Sequence, residues 1–288
     1  MTPNLAGALL MMASMACFTL NDTLLKLTAS AVPLFQLIFL RSAITSLLIL
    51  LTRGRMGPLH FNIERRDWMF MGLRAGTEVV IAYFFLTALV NMPLANVTAI
   101  LQVVPLAVTL ASALILREAV GWRRMLAIGI GFIGVMLIVK PGAEGFNIWS
   151  VYALVAVVGV TLRDLATRQL SPIVPSMTVT LVTALAVMGA AGLASLTEEW
   201  VSVTVEAGLL ISSSAVFILG GYFFSIQVMR TGDISFTAPF RYTGLIWALI
   251  LGFIVFGEWP GWLTLLGAAI VVSTGIFTLY RERKVSRA

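Results

Sequence analysis

Three pairs of opposite charge interrupt otherwise apolar stretches: Asp22 with Lys26, Arg74 with Glu78, and Asp164 with Arg168. Each pair is spaced i, i+4, which puts both side chains on one face of a helix. Such groups can hold a zwitterion, carry a proton, or lock two elements together. Glu78 beside Arg74 fits a substrate or proton-coupling carboxylate and equally an internal ion pair. Asp22–Lys26 and Asp164–Arg168 fit gating latches and equally charges that reach toward lipid headgroups. Arg41 and Arg241 have no partner nearby in sequence. Arg241 can attract a carboxylate, with Tyr242 donating a hydrogen bond; an arginine capping backbone carbonyls is the alternative. Asn21 and Gln102 are uncharged polar candidates. Gln102 lies one turn before Pro105, whose ring frees a backbone carbonyl. Helix–helix hydrogen bonds, about 1 kcal/mol each, are the other use for these two amides. Tyr83, Tyr222 and Trp247 can stack on a flat or apolar substrate, or serve as packing.

Much chemistry is excluded. The chain has a single histidine, His60, in a polar loop, and a single cysteine, Cys17, in an apolar run. No metal site, histidine-based catalysis or internal disulfide is expected. A serine protease acting within the membrane, the distant enzyme alternative, lacks a histidine at membrane depth. There is no phosphate-binding G-x-x-x-x-G-K-[ST] loop, and no cofactor is expected. Gly129, Gly131 and Gly134 spell G-x-G-x-x-G, but inside an apolar run with no preceding strand, where small residues serve close helix packing. Asn96-Val97-Thr98 spells a glycosylation acceptor but opens an apolar run.

The elements that must position these residues follow from composition. Of 288 residues, 59% are hydrophobic and 11% charged. That is too little polar surface to cover a water-soluble fold, so lipid is the solvent for most of the chain. In lipid only helices or closed barrels satisfy the backbone, and apolar runs without period-two alternation select helices. We place ten spans at 5–27, 33–52, 67–90, 95–116, 122–139, 148–169, 175–196, 207–229, 234–256 and 262–280. The start of the chain has no basic leader, and its apolar run continues past Leu20, so a cleaved signal peptide is not expected. Lys and Arg concentrate in the even-numbered loops and the tail, which puts both termini in the cytoplasm. The net charge of +6 belongs to these loops, so no nucleic-acid partner is expected. Trp68, Trp122, Trp149, Trp200, Trp259 and Trp262 fall at expected membrane surfaces, and Trp247 lies mid-span.

The chain repeats itself. Asp22, Lys26 and Pro33 return as Asp164, Arg168 and Pro175, 142 positions on; Tyr83-Phe84-Phe85 returns as Tyr222-Phe223-Phe224, 139 on. Glu118 and Trp122 return as Glu258 and Trp262, 140 on. Residues 1–142 and 143–288 are therefore two five-helix halves of one structural unit. Five is odd, so the halves insert in opposite senses, the inverted repeat of many secondary transporters. A substrate site is expected between them near mid-membrane, and a monomer suffices.

The residues Pro105 … Leu116-Arg117-Glu118 … Gly129 … Gly134-Val135 and Phe256-Gly257-Glu258 … Gly267 … Gly275 resemble the paired signature of the EamA-type, ten-helix drug/metabolite transporters. The resemblance covers essentially the whole chain, which looks most like the YddG-type exporters of amino acids. It implies a central cavity and efflux of small metabolites across a bacterial-type inner (plasma) membrane without nucleotide hydrolysis. The expected function is secondary-active export of a small-molecule substrate, aromatic or apolar amino acids first, by alternating access. A cationic drug, a sugar or a purine is the alternative substrate. Glu118 and Glu258 sit at helix ends and are expected to cap or salt-bridge the two hairpin turns.

Overall fold

The computed structural model describes residues 2–52, 54, 56–115, 117, 121–139, 147–231 and 237–286. Among these the regular structure is entirely helical. The helices are α1 (Pro3–Thr28), α2 (Leu34–Leu51), α3 (Arg65–Asn91), α4 (Leu94–Leu101), α5 (Val104–Ile115), α6 (Trp122–Val139), α7 (Ile148–Arg168), α8 (Ser176–Ala194), α9 (Val205–Thr231), α10 (Thr243–Phe256) and α11 (Trp262–Ser286). Eight helical stretches are long and apolar enough to cross a membrane, and Met125–Val139 and Trp262–Thr278 are shorter apolar helices. These ten match the ten expected spans to within a few residues at most described ends. The exception is α11, which continues to Ser286.

Proline and polar caps set the starts. Pro33, Pro93 and Pro175 stand at the N-caps of α2, α4 and α8, where a missing N–H costs nothing. Asn147 caps α7 by accepting from the Trp149 amide at 3.0 Å. The expected fourth span is broken: α4 ends at Leu101, Gln102 and Val103 form a turn, and α5 resumes just before Pro105. The ninth span opens on a 3₁₀ segment, Ala238–Tyr242, that runs into α10. Its end carries Gly257 in the left-handed region, at φ 66°, a conformation open to glycine without strain. The Gly257 and Glu258 amides bond back to Phe253 and Gly252, a glycine cap that turns Glu258 inward.

Packing contacts close a ring in the order α1, α9, α2, α8, α3, α7, α4–α5, α10 and back to α1. Outside it, α6 pairs with α11, and the pair leans on α4 and α5. Exchanging the first five spans for the last five maps this set of neighbours onto itself. At the α6–α11 crossing a Cβ on Gly134 would sit 2.8 Å from the carbonyl of Gly267, and one on Gly267 would strike that of Gly134. The small residues of the G-x-G-x-x-G run thus set how closely these helices approach.

Candidate functional site: a charged layer inside the ring

The polar groups of six ring spans converge. Arg163 of α7 donates to Glu78 of α3 at 3.3 Å and to its neighbour Asp164 at 2.9 Å. Asp164 is also within electrostatic reach of Arg241 and Arg74. From α2, Arg41 reaches the fields of Asp22, Glu78 and Tyr222. Tyr222 of α9 feels Glu78, Arg163, Arg74 and Arg41, and its ring meets Phe18 edge-on at 5.4 Å. Four arginines thus face three carboxylates, an excess of one positive charge. Arg41 Nε and Arg74 Nε are buried without a hydrogen-bond partner. Charge at this depth is costly unless paired, so an unspent guanidinium donor is a natural seat for an incoming carboxylate.

The local pairs expected from sequence do not form. Arg74 turns from Glu78 and donates to Thr167 of α7 at 2.9 Å. Asp22 accepts from the Asn21 amide at 2.9 Å, while Lys26 donates to Glu258 at 2.7 Å. Asp164 takes Arg163, and Arg168 donates to Ser112 of α5 at 2.8 Å. Arg74, Lys26 and Arg168 turn to groups on neighbouring segments, while Asp22 and Asp164 take the residue beside them on their own helix, in place of the weak pairing along one helix face. Arg163 is the site residue that reading for such pairs misses. Its signal is an arginine directly before Asp164 inside an apolar run.

The terminal face is the one where α1 begins and α11 ends; the distal face is opposite. The distal end of the ring is tied together by an ion pair and hydrogen bonds. Lys26 donates to Glu258 Oε1 and, at 2.6 Å, to the carbonyl of Met92, while Glu258 Oε2 accepts from the Leu94 amide at 2.9 Å. Glu258 therefore ties α1 and α4 together as well as ending its own hairpin. Glu118 lies outside the described residues. Below this latch Phe35 of α2 stacks on Tyr83 of α3, with centroids 5.8 Å apart, and Tyr152 of α7 adjoins at 6.2 Å. Gln36 exchanges two bonds with Val201, and Glu198 caps the Phe35 amide. Toward the terminal face Asp67 accepts from the Ser171 amide and hydroxyl. Arg241 is exposed there although its field reaches half-buried Asp164.

The remaining candidates spread out. Asn21 is 2% exposed and joins Asp22 to Ser214 of α9, whose hydroxyl donates at 2.7 Å. Gln102 sits at the break in the fourth span, its amide nitrogen against Gly244 of α10. Tyr242 points out of the ring, its hydroxyl buried against Gly275 of α11 without a hydrogen bond. Trp247 buries an unbonded indole nitrogen. Among the described residues no cluster of His, Cys, Asp and Glu could hold a metal.

Residues 5–140 match the EamA-like transporter family. The chain belongs to that family, within the drug/metabolite transporter superfamily. This EamA-type carrier is 26% identical over 278 residues to the S-adenosylmethionine uptake transporter of Rickettsia prowazekii, covering 94% of this chain and 91% of the relative. It is 26% identical over 291 residues to the pseudopaline exporter CntI of Pseudomonas aeruginosa, covering 97% of each. A riboflavin transporter of Vibrio cholerae is 30% identical over 196 residues, 68% of this chain and 66% of that one. A crystal structure of a protein 18% identical superposes with a TM-score of 0.66 over 96% of this chain and 98% of the other, a likeness of fold. The EamA-type carrier is thus a multi-pass membrane transporter of small metabolites, as its relatives are.

Proposed function

We propose that the protein is a secondary carrier that exports zwitterionic, amino-acid-type metabolites, aromatic or apolar ones first, through the ring interior. The single observation that carries this reading is the charged layer: an unspent guanidinium donor on Arg41 within the fields of the Asp22 and Glu78 carboxylates, and another on Arg74 near Asp164. An α-amino acid presents one group of each sign and fits such a layer with both charges answered. Phe35, Tyr83 and Tyr152 lie toward the distal face and offer ring faces to an apolar side chain. The name of the S-adenosylmethionine relatives agrees, since that metabolite bears an amino-acid head.

The halves 1–142 and 143–288 act as inverted repeats that exchange conformations in alternating access. The repeated residues and the interchangeable ring neighbours support this. With both termini cytoplasmic, as the Lys and Arg loops favour, the tied distal end faces outward and Arg241 faces the cell interior. The relatives include both an uptake carrier and an exporter, so direction is set by gradient and coupling.

Counterflow in proteoliposomes tests the proposal. Vesicles loaded with unlabelled phenylalanine, leucine, methionine or S-adenosylmethionine should accumulate the labelled counterpart saturably. No saturable exchange for any of them, with folded protein in the vesicles, transfers the reading to a cationic drug, a sugar or a purine.

A further inference from the structure

The three carboxylates of the charged layer are not held alike. Glu78 has the guanidinium of Arg163 at 3.3 Å, and Asp164 has it at 2.9 Å. Among the described residues Asp22 is held only by a neutral donor, the Asn21 amide at 2.9 Å, itself fixed by the Ser214 hydroxyl. Lys26, one turn away, is committed to Glu258 and Met92. Asp22 is half-buried, six residues before the end of α1, about 9 Å along the helix. The groups around it are countable. From α2, Arg41 reaches it only through its field. The adjoining spans bring Tyr222 on α9, Glu78 and Arg74 on α3, and Arg241 on the 3₁₀ segment, whose Tyr242 turns away toward α11, while α10 brings no titratable group.

We propose that Asp22 is the proton-coupling carboxyl of this carrier. The inference rests on the reading of the protein as a secondary carrier. A desolvated carboxylate without an ion-pair partner is unfavourable, and its charge is answered by a substrate ammonium or removed by a proton. Glu78 and Asp164 already have their counter-ion and need neither. In the cycle the Asp22 carboxylate takes one proton at one membrane face and becomes a neutral acid. It returns that proton at the other face when the ring opens there; no other bond changes. Because proton and ammonium compete for the same oxygens, loading one ejects the other, the condition for exchange. Asn21 and Ser214 hold the carboxyl toward the ring interior in both protonation states.

Proteoliposomes with phenylalanine or leucine as probe, under an imposed pH gradient, test this. A gradient of about two pH units, worth roughly 100-fold in proton activity, should raise wild-type accumulation by about tenfold or more over the equal-pH level. Asp22→Asn should lose that response in whatever counterflow remains at equal pH. Glu78→Gln should keep the pH response in whatever flux remains. A second readout needs no variant: dicyclohexylcarbodiimide, which reacts with protonated membrane carboxyls, followed by peptide mapping. Asp22 should carry the adduct and Glu78 and Asp164 should not, with substrate protecting Asp22. Undiminished gradient-driven accumulation in Asp22→Asn overturns the proposal, as do a wild type that follows a sodium gradient instead and an adduct on Glu78 or Asp164 with Asp22 unmodified. Absence of counterflow in the wild type would instead count against the carrier reading, with the Asp22 adduct judged on its own.

Discussion

Arg163 and Glu78, 85 positions apart, are joined at 3.3 Å, while Arg74, on the same helix as Glu78, reaches Thr167. The bond ties α3 to α7. Both side chains are well covered, at 18% and 16% exposed. Breaking such a pair leaves a charge uncompensated.

Glu78→Gln and Arg163→Met should therefore each destabilise the protein by about 3 kcal/mol, and the double variant should lose clearly less than the sum. Unfolding in detergent checks this. Additive losses would show that the pair is a contact without coupling.

Tyr242 and Gly275 give a second prediction. A methyl group on Gly275 would collide with the Tyr242 hydroxyl, which is buried without a partner. Gly275→Ala should lower the melting temperature. Tyr242→Phe alone should be neutral or stabilising by up to about 1 kcal/mol, because it removes an unsatisfied buried hydroxyl. Adding Tyr242→Phe to Gly275→Ala should restore part of the loss. No restoration would place the collision elsewhere.

Lys26 and Glu258 give a third. They tie the distal end above Tyr83. In a Cys17→Ala background, Tyr83→Cys should react faster with a membrane-impermeant thiol reagent once Glu258→Gln is added, by several-fold. An unchanged rate would mean that the aromatic layer, not the latch, controls access.

Asn21 gives a fourth. Its amide joins Ser214 to Asp22 between α9 and α1. Asn21→Ala should cost about 1–2 kcal/mol, the loss of buried helix-to-helix bonding, measured by thermal unfolding. A smaller loss than Thr87→Ala, at a half-exposed position bonded only within its own helix, would contradict it.

The spans were legible because about twenty apolar residues are a membrane's width and prolines mark the joints. The break near Pro105 follows from a missing amide. Partner choice was not legible. The i, i+4 spacing of Arg74 and Glu78 names a possible pair, but ring closure places Arg163 and Thr167 nearer, and sequence carries no record of which helices adjoin. Arg163 was legible in principle, as an intramembrane cation that must have a purpose. Glu258 was read as ending its own hairpin. That it also fastens α1 and α4 follows from the direction Gly257 gives it.

The central claim is that arginines of the ring hold a substrate carboxylate. The most direct test is competition in counterflow between the best-exchanged amino acid, its amide and its decarboxylated amine. The account predicts that the amino acid competes fully and that the two compounds without a carboxylate fail at about tenfold higher concentration. Equal competition by all three would contradict it.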